Sequence, residues 1–326
     1  MSQQLCVAVL QPDLRLNQPM SNMVALRKQV QELPSGTNIV VLPEMWMGLP
    51  SGTEVERWSR DGLQFLQTLA QKCDVNVIGG TFELPAAGGL LQNVCMVVNR
   101  RGELVGQYVK RLSFSREQAI HQPGDGPGIF ELDGFRVGVL ICADLWRSSL
   151  FSEIYEQIDL VCVPAKTAVP TDEHVVYAQT LWHGLALMRA TEFGVPVAVS
   201  DWACARHAPK DVDHSVGSVH SRGMDWDLGI LHKRHRNHSI DATTSGPMRP
   251  TASQPTSATP ALGTGVHFTS GTASICNPGH RPDIKKIWQV LDRGAEGHLY
   301  QQIDLQALQQ YRDYRRTVGL LPKVGE

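Results

Sequence analysis

Three apolar runs in this chain each end at a single chemistry-bearing residue. Val40-Val41-Leu42-Pro43 runs into Glu44, Tyr108-Val109 into Lys110, and Val137-Gly138-Val139-Leu140-Ile141 into Cys142. Short runs of β-branched and small residues suit strands that are covered on both faces. Such strands need layers above and below them, so the runs predict a sheet inside a layered α/β chain. A carboxylate, an amine and a thiol, each just past a strand end, form the set that a nucleophilic amide hydrolase requires. After Cys142, the residues Asp144-Leu145-Trp146 and Leu150-Phe151-Ile154 have helical spacing. A cysteine between a strand end and a helix start meets oriented N–H groups and the positive end of the helix dipole, which favour its thiolate.

The rest of the chain supports a mixed sheet. Leu5–Leu10 reads as a first buried strand. Met23, Leu26, Val30 and Leu33 lie at helical spacing, and Pro34-Ser35-Gly36 stops that helix. A second helix carries Val55, Trp58, Phe65, Leu66 and Leu69, and a strand is predicted over 75–82. Residues 91–98, the turn Asn99-Arg100-Arg101-Gly102 and residues 103–109 predict a hairpin, as do 130–132, Asp133-Gly134 and 135–141. Further strands are expected at 160–163, 195–200, 288–291 and 298–303, the last two paired. A long helix spanning about 173–193 carries Val176, Leu181, Leu185, Leu187 and Met188. Asp304 is placed to cap a final helix over 305–316.

Between His207 and His267 the periodicity lapses. Six of the twelve histidines fall in 207–238, and 243–264 is rich in Thr, Ser, Pro, Gly and Ala, a composition poor at forming a packed core. The chain is read as one domain, 1–326, with a flexible low-complexity insertion at about 207–267; a disturbed reading frame would produce the same abrupt change. His232, His235 and His238 have regular spacing but no neighbouring cysteine or acid set, so no metal site is expected.

Leu-Pro-Glu at 42–44, Tyr-Val-Lys at 108–110 and Leu-Ile-Cys-Ala-Asp-Leu at 140–145 resemble, in order and spacing, the Glu-Lys-Cys signature of the nitrilase superfamily, the carbon–nitrogen hydrolases. The resemblance covers roughly residues 5–205 and 266–317. It implies a four-layer αββα sandwich. It also implies a cofactor-free, thiol-dependent hydrolysis of a small amide. Cys142 is the expected nucleophile and Glu44 the proton carrier. Lys110 and the backbone N–H of Ala143 are the expected oxyanion donors. Glu117, seven residues before Gly124, stands where many amidases of the family carry a second glutamate that positions substrate and lysine; a solvated loop acid is the alternative. Trp46, Trp146, Arg147, Lys166 and Thr167 follow motif strands and are expected to line the pocket. Arg147 there either pairs with a substrate carboxylate or binds a neighbouring acid.

Two departures bear on the substrate. Arg111-Leu112 stand where the family commonly has a histidine two residues after the lysine. Ala143-Asp144 stand where nitrilases usually carry Trp-Glu, which favours amidase chemistry over nitrilase. Cys-Ala-Asp-Leu-Trp is closest to the Cys-Glu-Asp-Leu-Trp of glutaminase domains in NAD synthetases, yet no synthetase domain is visible. N-carbamoyl amide hydrolysis and a catalytically silent interaction module are the rival readings.

A formal net charge of −2 gives no basic excess for nucleic acid or an anionic membrane. No apolar run approaches a membrane span of ~20 residues, and no signal peptide is visible. Seven cysteines without a CxxC pair suggest reduced thiols in the cytoplasm. Family resemblance implies a homodimer or higher homo-oligomer.

Overall fold

The computed structural model describes residues 4–48, 54–113, 117–207, 267–279 and 287–322. The first half of the chain builds one sheet. β1 (Gln4–Gln11), α1 (Pro19–Gln31), β2 (Ile39–Val41), α2 (Glu54–Cys73), β3 (Asn76–Ile78), β4 (Phe82–Pro85), β5 (Leu91–Val98) and β6 (Leu104–Val109) follow one another. The short α3 (Glu117–Ile120) then leads to a second sheet, begun by β7 (Ile129–Leu132) and β8 (Phe135–Val139). After α4 (Ser148–Ser152) come β9 (Leu160–Pro164), β10 (Ala168–Val169), α5 (Val175–Phe193), β11 (Val197–Ser200) and β12 (Ala205–His207). The chain resumes with β13 (His267–Thr269), β14 (Ser274–Cys276), β15 (Trp288–Val290), β16 (Gly297–Asp304) and α6 (Leu305–Thr317).

Among the described residues, the first sheet runs β16-β1-β2-β3-β5-β4 with β6 beside β5, and the second runs β15-β14-β11-β9-β8-β7. β1, β2 and β3 are parallel to one another, as are β8, β9 and β11, while the hairpins add antiparallel strands. Side-chain alternation sorts the residues of each strand into two cores. Val7, Val9, Ile39, Val41 and Val97 meet Val137, Val139, Val161, Val163 and Val199 between the sheets. Ala8, Leu10, Val40, Leu42 and Val98 face outward onto Met23, Leu26 and Val30 of α1 and Trp58, Phe65 and Leu66 of α2. With α5 and α6 over the second sheet, this is the αββα sandwich.

Four local expectations need correction. The strand expected over 75–82 breaks at Gly79-Gly80. Gly80 has φ +66°, and a Cβ there would collide with the Pro43 carbonyl and the Trp46 ring. The strands near 288–291 and 298–303 do not pair with each other: β15 joins β14 in one sheet and β16 joins β1 in the other. On α5, Val176 and Met188 are exposed, and the buried face consists of Val175, Ala178, His183, Ala186, Ala190 and Phe193. Small residues there let the helix approach its sheet closely, while the expected Leu185 and Leu187 are half-buried and pack against the same core. His207 and His267, expected to bound the insertion, are instead strand residues opposite each other in β12 and β13, with rings stacked at 5.2 Å. The chain therefore leaves and rejoins the fold at one place. Residues 208–266, including the histidines from His214 to His238, lie outside the described residues.

Buried His183 gives a test of this packing. Burial pushes its pKa down from 6.5 to about 4. Between those values the unfolded chain binds a proton that the folded protein excludes, so stability is lost as pH falls through that window. Urea unfolding at about pH 7 and about pH 5 should show a smaller loss on acidification for His183→Gln than for the wild type.

Candidate active site

Glu44, Lys110 and Cys142 converge where β2, β6 and β8 end. All three are nearly inaccessible, at 3%, 4% and 8% exposure. Lys110 Nζ donates to Glu44 Oε1 at 2.8 Å and to both Glu117 oxygens at 3.0 and 2.9 Å. Asn93 Nδ2, on β5, donates to the same Glu44 oxygen at 2.8 Å, and the backbone N–H of Lys166 reaches Oε2 at 3.1 Å. The backbone of Glu44 is pinned as well: its N–H donates to Ala165 O and its carbonyl accepts from Trp202 Nε1 at 2.8 Å. This carboxylate is therefore fixed by both sheets at once.

Charge in so dry a place needs compensation. Burial opposes a charge on Lys110, but the acids Glu44 and Glu117, with Cys142, outweigh it and hold the ammonium protonated well above the usual lysine range. Burial, followed by Glu44, pushes the Cys142 thiol well up, against the lowering pull of Lys110 and the Lys166 N–H. This corrects the helix-dipole expectation. The segment after Cys142 is a five-residue 3₁₀ turn, Cys142–Trp146, followed by the five-residue α4. Its dipole is too small to outweigh desolvation, so the resting group is a thiol. Glu44 and Lys110 are among the charged groups that act on it. Cys142 itself has φ +46°, a left-handed conformation that is costly for a residue with a side chain.

Asp144, which is fully buried, holds that conformation. Its Oδ2 accepts from the Ile141 N–H at 3.0 Å and the Tyr108 hydroxyl at 2.9 Å; its Oδ1 accepts from Leu112 N at 2.6 Å and Arg111 N at 3.2 Å. One side chain thus ties the residue before Cys142 to the strand that carries Lys110. Asp144→Ala would strand these four donors. It is expected to cost about 3 kcal/mol or more in urea unfolding, at about 1–3 kcal/mol per orphaned buried group with partial relaxation.

The residues expected to line a pocket divide. Lys166 is buried and joins the Glu44 cluster. Thr167 is buried too, but its N–H and hydroxyl both donate to Asp201, so it does not offer its hydroxyl to a substrate. Trp46 is a core residue: its ring packs on Phe65 and Phe82, and its Nε1 donates to Gly79 O at 2.8 Å. Trp146 and Arg147 are exposed, with Trp146 set edge-on to Trp182 at 5.9 Å. Ala143 follows Cys142 in the turn and is buried.

Reading the sequence missed Asn93, Asp201 and Trp202. Asn93 left a trace, as a polar residue inside the apolar run of β5. Asp201 likewise ends the apolar run of β11. It is fully buried and accepts from Thr167, from the Trp202 N–H at 2.8 Å and from the N–H and hydroxyl of Thr272 at 2.8 Å each. It locks the loop after β9, which carries Lys166, against the loops after β11 and β13.

Similarity to known proteins agrees with this geometry. A family model described as carbon-nitrogen hydrolase matches residues 6–244. Over 175 residues the chain is 30% identical to a nitrilase of Pyrococcus abyssi, covering 50% of this chain and 66% of that protein. It is 31% identical over 137 residues to the omega-amidase NIT2 of Bos taurus, covering 37% of this chain and 48% of that one. The chain thus spans about half to two thirds of the length of these curated relatives. In structure it is similar to a carbon-nitrogen hydrolase from Helicobacter pylori G27, with a TM-score of 0.70, 16% identity, and coverage of 97% of this chain and 95% of that one.

Proposed function

Since this chain belongs to the carbon–nitrogen hydrolase family, we propose that it hydrolyses a non-peptide C–N bond of a small amide through a thioester on Cys142, releasing ammonia or an amine. The observation that carries this reading is the Glu44 carboxylate, held by Lys110, Asn93 and the Lys166 N–H beside the buried thiol. Cys142 Sγ attacks the carbonyl carbon as its proton passes to Glu44. The negative charge on the oxygen meets Lys110 and the N–H of Ala143. Glu44 then returns the proton to the departing nitrogen, the C–N bond breaks, and the thioester remains. A water molecule attacks it as Glu44 takes a proton; the S–C bond breaks and the thiol is restored. Glu117 holds Lys110 against Glu44 and orients the substrate. None of these steps requires a cofactor.

A simple amide is favoured over a nitrile because Ala143-Asp144 follow the cysteine. N-carbamoyl amides are the second reading. A panel of small amides, ω-amides, carbamoyl amino acids and nitriles separates them by product. Primary amides release ammonia and the carboxylic acid, whereas carbamoyl substrates release ammonia, carbon dioxide and the free amine. No product from any of them, with folded protein, would favour a silent relative acting as an interaction module.

The seven cysteines are all free, and no helix among the described residues is long and apolar enough to cross a membrane. The free thiols fit a reducing compartment such as the cytoplasm. Exposed Val176, Tyr177 and Met188 on α5, with Trp146, support assembly into at least a homodimer. A monomer mass in light scattering would contradict that assembly.

A further inference from the structure

The centre holds a second buried lysine. Lys166 follows β9 and is 3% exposed, and its Nζ has no hydrogen-bond partner among the described residues. The Nζ stands 4.5 Å from the centroid of the Trp202 ring. Both residues are fastened to Glu44, Trp202 through its Nε1 and Lys166 through its own N–H. A buried amine without an acceptor is costly and calls for an explanation. The groups that act on it are Glu44 beyond β2, Asp201 beyond β11, Glu83 in β4 and Cys142 beyond β8. Lys110 and Glu117 complete the charges around the thiol. The acids have other donors close by: Lys110 and Asn93 on Glu44, Thr167 and Thr272 on Asp201, and His121 on Glu83 at 2.8 Å. Lys166 is therefore held by the field of the cluster and the face of an indole, not by an ion-pair partner of its own. Burial pushes its pKa down to about 8 against the upward pull of those acids. It is mostly charged at neutral pH and neutral not far above it.

We propose that Lys166 is a positioning residue for the nucleophile: its ammonium, without touching substrate, stabilises the negative charge that develops on Cys142 when the thiol proton leaves. The proposal rests on the reading of Cys142 as the nucleophile. Coupling between two titrating groups is reciprocal. A Cys142 thiolate favours charge on Lys166, so charge on Lys166 favours the thiolate.

Alkylation of Cys142 by iodoacetamide tests this without any knowledge of the substrate. Its rate is followed by peptide mass spectrometry from about pH 6 to about pH 10 in the wild type, Lys166→Met and Lys166→Arg. Lys166→Met is expected to react about ten-fold more slowly near pH 7, one unit of thiol shift, and to approach the wild-type rate above about pH 9, where the wild-type amine is itself neutral. Lys166→Arg keeps its charge there and should react faster than the wild type above about pH 9. That second comparison decides the matter even if Lys166→Met does not fold. Coincident profiles for all three proteins would overturn the proposal. So would an equal loss in the Met and Arg variants at every pH, the mark of a packing role. A wild-type Cys142 as inert as buried Cys95 and Cys162 would overturn the nucleophile reading and this proposal with it.

Discussion

Cys142→Ala is expected to lower kcat/KM by about 10⁴-fold or more on any amide the wild type hydrolyses, the scale of loss when a covalent nucleophile is removed. The chemistry has no second thiol to fall back on. Cys95 and Cys162 are fully buried, and burial pushes both their pKa values up, but neither has Glu44 and Lys110 among the groups acting on it. Cys162→Ala should therefore leave turnover unchanged while costing about 1–2 kcal/mol of stability for the cavity it leaves. The Cys142 change removes one sulfur atom from the turn that Asp144 holds, so its stability should fall by no more than about 2 kcal/mol. Loss of rate with little loss of fold separates a nucleophile from a packed thiol. Steady-state kinetics and urea unfolding on the same two variants make the comparison.

Glu44→Gln should give the next largest effect, and it should act twice. In the chemistry, an amide cannot take the thiol proton, return it to nitrogen or activate water, so kcat should fall by about 10³-fold, within the usual range for a lost general acid–base group. A substrate with a good leaving group, such as an activated ester, needs no proton on departure. It should still acylate Cys142 and then stall, so acyl-enzyme accumulates. In the fold, Lys110 loses its fully buried carboxylate partner, with Glu117 left to hold it. The glutamine nitrogen must also face either Lys110 and Asn93 or the Lys166 N–H, each a donor. Breaking a buried pair in this way is expected to cost about 3 kcal/mol, read as a lower urea midpoint. Unchanged turnover on amides would mean that another group carries the proton.

The convergence of Glu44, Lys110 and Cys142 was legible in the sequence because each ends an apolar strand and the three motifs together resemble one family signature. Most strands and the hairpins were legible from apolar runs and from turn pairs such as Asp133-Gly134, whereas the two-sheet layering followed from the family resemblance. Other features depended on contacts that no local pattern records. Gly79-Gly80 reads as part of a strand until Trp46 is seen packed against it. Trp46 reads as a pocket residue because it lies two positions from Glu44, yet its ring packs on the helix side of the sheet. Asp144 reads as a helix-start acid, but its importance lies in accepting from both motif strands at once. Asp201 and Thr167 sit far apart in sequence and meet because β9 and β11 are neighbours. The upward shift of the thiol is hidden from the sequence for a related reason, since desolvation is a property of the packed core and the helix dipole a property of the local turn.

A thioester on Cys142 is read most directly by intact-protein mass spectrometry. The wild type, Cys142→Ala and Glu44→Gln are each exposed to the panel of amides and activated esters and quenched in acid. With a primary amide substrate, the wild type should gain a mass equal to the amide less ammonia. The adduct should be longer-lived on Glu44→Gln with an activated ester and absent from Cys142→Ala. The same adduct on Cys142→Ala would mean that Cys142 is not the nucleophile.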